Sequence, residues 1–151
     1  MYLAHLLFRC LCFSFRFISL FASLTAEAAS SGTGSASSGS GAGGTVDVKG
    51  WAWAGGGRGI ARVDVSTDGG ANWHGTELVQ GAGQPAGREW AWVFFEAADV
   101  PHAAGAGQQL EVVSRAVDKC YNVQPEKADH IWNMRGLGNN SWFRRSVKVE
   151  E

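Results

Sequence analysis

The chain has 151 residues, 13 basic and 14 acidic side chains, a formal net charge of -1 and 45% hydrophobic residues. That length allows one ordinary domain plus extra material. The charge balance lacks the clustered Lys and Arg that a nucleic-acid surface requires.

Residues 1–29 are apolar and aromatic, are interrupted by Arg9 and Arg16, and close on the small-residue run AEAA. They read either as a targeting peptide, which would send the product to a mitochondrion or the secretory route, or as a leader with no folded role. The arginines argue against a membrane span, because a charge at the bilayer centre costs about 2.5–3.5 kcal/mol on insertion scales. Residues 30–44, SSGTGSASSGSGAGG, cannot bury enough surface to order themselves and read as a linker.

From Thr45 the texture changes to strands and turns, and seven Trp and eight Phe in the chain provide large apolar area for a core. TVDVKGWAWA alternates Val46 and Val48 on one phase and Trp51 and Trp53 on the other, and a bulge at Gly50 would bring all four to one face. IARVDVS sets Ala61, Val63 and Val65 against Arg62, Asp64 and Ser66, as in a strand wet on one side. TDGGANW is a hairpin signal, with Trp73 an anchor on the strand that follows.

REWAWVFFEA places Trp90, Trp92 and Phe94 on one face and Ala91, Val93 and Phe95 on the other. With neither side solvated, this strand is central or presents a face to a partner, which makes Trp90, Trp92 and Phe94 the candidate interface. QQLEVVSRAVD and SWFRRSVKV complete the set. About seven short strands divided by Gly-rich turns predict an all-β, immunoglobulin-like antiparallel sandwich over residues 45–151, with no internal repeat.

The machinery of catalysis is sparse. There is no GxSxG elbow, HExxH, CxxC pair or P-loop. Cys10, Cys12 and Cys120 are too few for a zinc site or a disulfide framework, and Cys120 reads as a free thiol beside a turn. His74, His102 and His130 read as exposed loop residues, and Asp64, Asp68 and Asp118 as strand and turn residues. In YNVQPE, Asn122 and Gln124 are placed to bond backbone groups beside Pro125 or to meet another domain.

Four blocks carry a resemblance: VKGWAWAGGGRGIARVDVSTDGGANW, REWAWVFF, RAVDKCYNVQPE and IWNMRGLGNNSWFRRSVKV. From about Val46 to Val149 the sequence resembles the C-terminal dimerisation domain of the sulfite oxidase family of molybdenum enzymes, which also includes assimilatory nitrate reductases. The resemblance implies an immunoglobulin-like domain that holds two subunits together and packs against a molybdopterin-binding domain. That other domain carries the cysteine ligand of molybdenum and most of the pocket; this chain is expected to lack it. No complete catalytic set and no metal ligand are therefore expected here, and the chain is read as a truncated product or a free-standing module.

By the same resemblance, Arg135 in IWNMRG matches the arginine that sulfite-oxidising members extend into the anion pocket beside molybdenum. A guanidinium offers a rigid fork of donors suited to a compact oxyanion. The nitrate-reducing branch typically has methionine there, although NNSWFR is equally like that branch. The local alternatives for Arg135 are stacking on Trp132 or pairing with a carboxylate. For the whole chain, the alternatives are a self-associating binding module and a secreted sandwich that binds a ligand on exposed tryptophans.

Overall fold

The computed structural model describes residues 18–21 and 43–149; the remainder of the predicted targeting segment and residues 30–42 of the predicted linker lie outside them. The strands are β1 (Ile18–Phe21), β2 (Gly44–Ala54), β3 (Ile60–Ser66), β4 (His74–Gly75), β5 (Glu77–Gln80), β6 (Val93–His102), β7 (Gln109–Asp118) and β8 (Phe143–Lys148). They form two four-stranded antiparallel sheets, ordered β1-β2-β6-β5 and β4-β3-β7-β8. One core that includes Val46, Val48, Ile60, Val63, Phe95 and Leu110 is drawn from both sheets. The expected all-β antiparallel sandwich is the observed fold.

Two bulges set which residues reach that core. On β6, Val46 pairs with Val100 but Val48 pairs with Ala97, so Ala98 and Asp99 absorb an extra residue. Asp99 has φ 54, a region that Asp tolerates better than most residues, and its amide donates to Asp47 Oδ1 at 3.0 Å. The bulge keeps both Ala97 and Val100 pointing inward. On β3 the extra residue is Ala61, between the pairs Ile60–Asp118 and Arg62–Val117. Ala61 is consequently exposed and Ile60 joins the core.

The phase slip expected at Gly50 does not occur. Residues 46, 48, 50, 52 and 54 of β2 are all buried on one continuous phase, and Trp51 and Trp53 lie on the opposite face. The reason is Phe95, the cross-strand partner of Gly50: a Cβ at Gly50 would sit 2.5 Å from Phe95 Cζ. Glycine is required there to admit a ring, not to bend the strand. Gly50→Val should therefore overpack the site and destabilise by about 1–3 kcal/mol, measured by denaturant unfolding.

The wet face expected for β3 is covered at Asp64 and Ser66, which are buried, whereas Arg62 stays exposed. Asp64 lies 3.4 Å from Arg62 Nε and 3.1 Å from Arg115 Nε, while the Arg115 guanidinium stacks 3.9 Å from the centre of the Trp73 ring. Trp73 meets Trp142 edge-on at 4.9 Å, so it anchors a lid across this sheet. In the preceding turn, the Asp68 carboxylate accepts from the backbone and side-chain amides of Asn72 and from Ser66 Oγ, which hold it well below the usual carboxylate range.

Candidate functional site

The first candidate surface begins where β8 stops. Beyond Ser114 the free edge of β7 is taken by residues 122–124: the Asp118 amide donates to Asn122 O, Val123 bridges Val117, and the Ala116 amide donates to Gln124 Oε1 at 2.8 Å. Gln124 is buried, and its Nε2 donates to Asn140 O at 2.9 Å. Trp142 adds two bonds, from its backbone amide to Pro125 O and from Nε1 to Gln124 O. Gln124 thus meets backbone groups, as its position beside Pro125 suggested, and ties the end of β7 to the segment leading into β8.

That segment carries the Arg135 loop. Asn133 organises it from within: Oδ1 accepts from the amides of Arg135 (3.2 Å) and Leu137 (3.0 Å), and Nδ2 donates to Leu137 O (2.6 Å). The Gly136 amide returns to Asn133 O at 3.0 Å, and Gly136 has φ 64, the left-handed region where glycine is at ease. An amide side chain closing its own loop is ordinary turn chemistry, and the Asn two residues before Arg135 was the sequence signal that could have exposed it.

Arg135 is exposed, and among the described residues its guanidinium has neither an ion pair nor a stacked ring. Stacking on Trp132 and pairing with a carboxylate are thus not found. Beside it in the chain, Trp132 and Met134 are 74% and 91% exposed, and Leu137 is also exposed. The loop therefore presents a cation among apolar side chains.

The second surface is the outer face of the β1-β2-β6-β5 sheet. Trp51 and Trp92 stack with centroids 4.4 Å apart and planes 13° from parallel. Trp53 Nε1 donates to Trp90 O at 3.0 Å, and Phe94 is the cross-strand partner of Trp51. Trp90, Trp92 and Phe94 are 59%, 53% and 41% exposed. β6 is central, between β2 and β5, but it begins only at Val93, so Trp90 and Trp92 precede the strand and Phe94 alone of the three lies on it. Trp90, Trp92 and Phe94, the candidate interface, are exposed, whereas Trp51 and Trp53, expected with the core valines, lie on the opposite face.

Two part-buried ion pairs join the turns next to Asp118. Arg58 Nε donates to Asp118 Oδ2 at 2.8 Å, and Lys119 Nζ to Glu89 Oε1 at 2.9 Å. Burial pushes the Asp118 carboxyl up, but donors from Asn122, Arg58 and Cys120 outweigh it, and the carboxyl lies below its ordinary range. Cys120 is exposed in this turn. His130 is exposed as expected, whereas His74 and His102 are half-buried on β4 and the end of β6, where strand pairing draws them in.

An open groove of about 490 Å³ lies between β4 and β6, lined in part by His74, Glu77, Glu96 and Asp99. Glu96 is paired with Lys49 at 3.2 Å. Among the described residues no three His, Cys, Asp or Glu side chains converge to hold a metal ion, and no helix is long and apolar enough to cross a membrane. The donor set does not fit a molybdenum centre: the described thiol stands alone on an exposed turn.

Comparison with known proteins agrees with the geometry. Residues 28–150 match the Mo-co oxidoreductase dimerisation domain, and the chain belongs to that family. Sulfite oxidase of Gallus gallus is 50% identical over 87 residues, 58% of this chain and 18% of that protein. The NADH nitrate reductase of Spinacia oleracea is 41% identical over 94 residues, 61% of this chain and 10% of that protein. The crystal structure of the sulfane dehydrogenase SoxCD from Paracoccus pantotrophus matches with a TM-score of 0.50 and 35% identity, over 70% of this chain and 25% of that one. The chain thus spans a quarter or less of each of these relatives. The family is molybdenum-cofactor dependent, and the match covers its dimerisation domain.

Proposed function

We propose that this domain pairs the subunits of a sulfite-oxidising molybdenum oxidoreductase and lends Arg135 to an oxyanion pocket held by a molybdopterin-binding domain. The observation that carries the reading is the exposed Arg135 guanidinium, without an ion pair among the described residues, on a loop closed by Asn133. A guanidinium left without an internal partner is free to bind two oxygens of sulfite or sulfate at once. The bare apolar side chains beside it, Trp132 and Met134, suit contact with another domain. Subunit pairing is assigned to the face of Trp90, Trp92 and Phe94. The nitrate-reducing branch is the less favoured reading, because Arg135 stands where, by the resemblance, that branch typically has methionine.

No catalytic step is assigned to this chain alone. The test is a chimera in which residues 45–151 replace the matching segment of the Gallus gallus sulfite oxidase. The chimera should turn over sulfite, and Arg135→Met should raise KM about 10- to 150-fold, the range set by loss of a hydrogen bond to a charged group worth about 1.5–3 kcal/mol. In the unfused chain the same substitution should change stability by no more than about 0.5 kcal/mol, because the side chain is exposed and has no ion pair or stacked ring among the described residues. An active chimera with an unchanged KM in Arg135→Met would refute the anion role. A stability loss above about 3 kcal/mol in the unfused chain would identify a buried structural cation instead.

A further inference from the structure

Ile18–Phe21 lies outside the matched residues 28–150, yet it forms an antiparallel ladder with β2, pairing Ile18 with Ala54, Ser19 with Trp53, Leu20 with Ala52 and Phe21 with Trp51. On its other side β2 is bonded to β6, so β1 occupies what is otherwise a sheet edge. An edge presents unpaired N–H and C=O groups and invites pairing with any extended chain, unless charge, proline or a covering segment blocks it. The two parts of β2 differ in this respect. The Gly44–Gly50 part, which β1 leaves uncovered, carries Asp47 and Lys49; the covered part is the uncharged run WAWA.

The chain can make this contact with itself. Phe21 lies opposite Trp51, seven residues along β2 from Gly44, a distance of roughly 23 Å at strand rise. The 22 residues from 22 to 43 between Phe21 and Gly44 could reach at most roughly 75 Å fully extended, far more than needed. Joining the strand to its site in one chain makes docking intramolecular, which favours it over pairing between molecules.

We infer that the edge of β2 over Trp51–Ala54 is a docking site for an extended apolar strand, and that Ile18–Phe21 is its resident occupant in cis. The N-terminal segment then closes the sheet where charge does not protect it. Processing that removed residues 1–29 would reopen the edge beside the aromatic face.

Amide hydrogen exchange on the full chain tests this. In the wild type the two consecutive amides of Trp51 and Ala52, where β2 is bonded to both β1 and β6, should both be protected, at low and high protein concentration alike. One of the two exchanging at the unprotected rate would show an open edge and overturn the inference. Protection that appears only as concentration rises would place the strand on a second copy and overturn docking in cis. In the full chain carrying Ser19→Pro and Leu20→Pro, half of those amides should lose protection at least tenfold while β3 and β7 stay protected, and a synthetic peptide of residues 15–24 should restore it. Unchanged protection in this variant, or no response to the peptide, would equally overturn the assignment.

Discussion

Trp92→Asp is expected to convert a dimer of this domain into a monomer. Trp90, Trp92 and Phe94 are exposed large aromatics, with Trp92 stacked on Trp51 and Phe94 opposite Trp51 on the neighbouring strand. Apolar patches of this kind mark interaction sites, and aromatic anchors near the centre of an interface cost 2 kcal/mol or more on truncation. A stable dimer buries about 1,200–2,000 Å² in total, and the face must sit near the middle of that area. An aspartate there places a charge in the desolvated centre of both copies, because a two-fold interface repeats every substitution. Dissociation should strengthen at least 30-fold, read by sedimentation equilibrium. The monomer's melting temperature should fall only modestly, since the lost ring stack is worth about 0.5–1.5 kcal/mol. A dimer of unchanged affinity would move the interface elsewhere on the domain.

Asp118→Ala is expected to be the most destabilising single change in the two part-buried ion pairs. The carboxylate is fully buried and accepts from Arg58 Nε, the Cys120 amide, the Asn122 amide and Asn122 Nδ2, all within 2.9 Å. Its removal leaves Arg58, itself only 22% exposed, without a counter-ion and three turn donors without an acceptor. Breaking a buried pair costs about 3–5 kcal/mol. The same site sets a pH dependence. The folded carboxyl titrates below the unfolded value of about 3.9, so its contribution is fully present above that pH and is lost as pH falls through the folded value. Denaturant unfolding of wild type and Asp118→Ala from neutral pH to pH 3 should show the gap narrowing on the acid side. A gap independent of pH would mean that the residue acts through packing alone.

The Asp118 case shows how the candidate site was partly legible. Its place among strand and turn residues holds, since Asp118 ends β7 and gathers the donors of the turn that follows, but nothing in RAVDKCYNVQPE says that a cation sixty residues earlier reaches it. The same holds for Arg135. Its chemistry was visible from its type and from the blocks around it, whereas its freedom from partners depends on how the Asn133 loop projects. Asn133 itself was passed over, since a lone Asn signals a turn without saying which amides it will gather.

What the sequence determined by itself is the strand alternation, the Gly- and Asp-rich turns and the four blocks of family resemblance, because period-two burial and turn chemistry are local properties of the chain. What only tertiary structure decided is the phase and the covering. Gly50 keeps β2 in register because Phe95 arrives from the neighbouring strand, Ala61 is expelled by a bulge against β7, and Asp64 is buried under Arg115 and Trp73. Each depends on a residue distant in sequence, and side-chain volume and charge pairing across that distance leave no periodic signal along the chain.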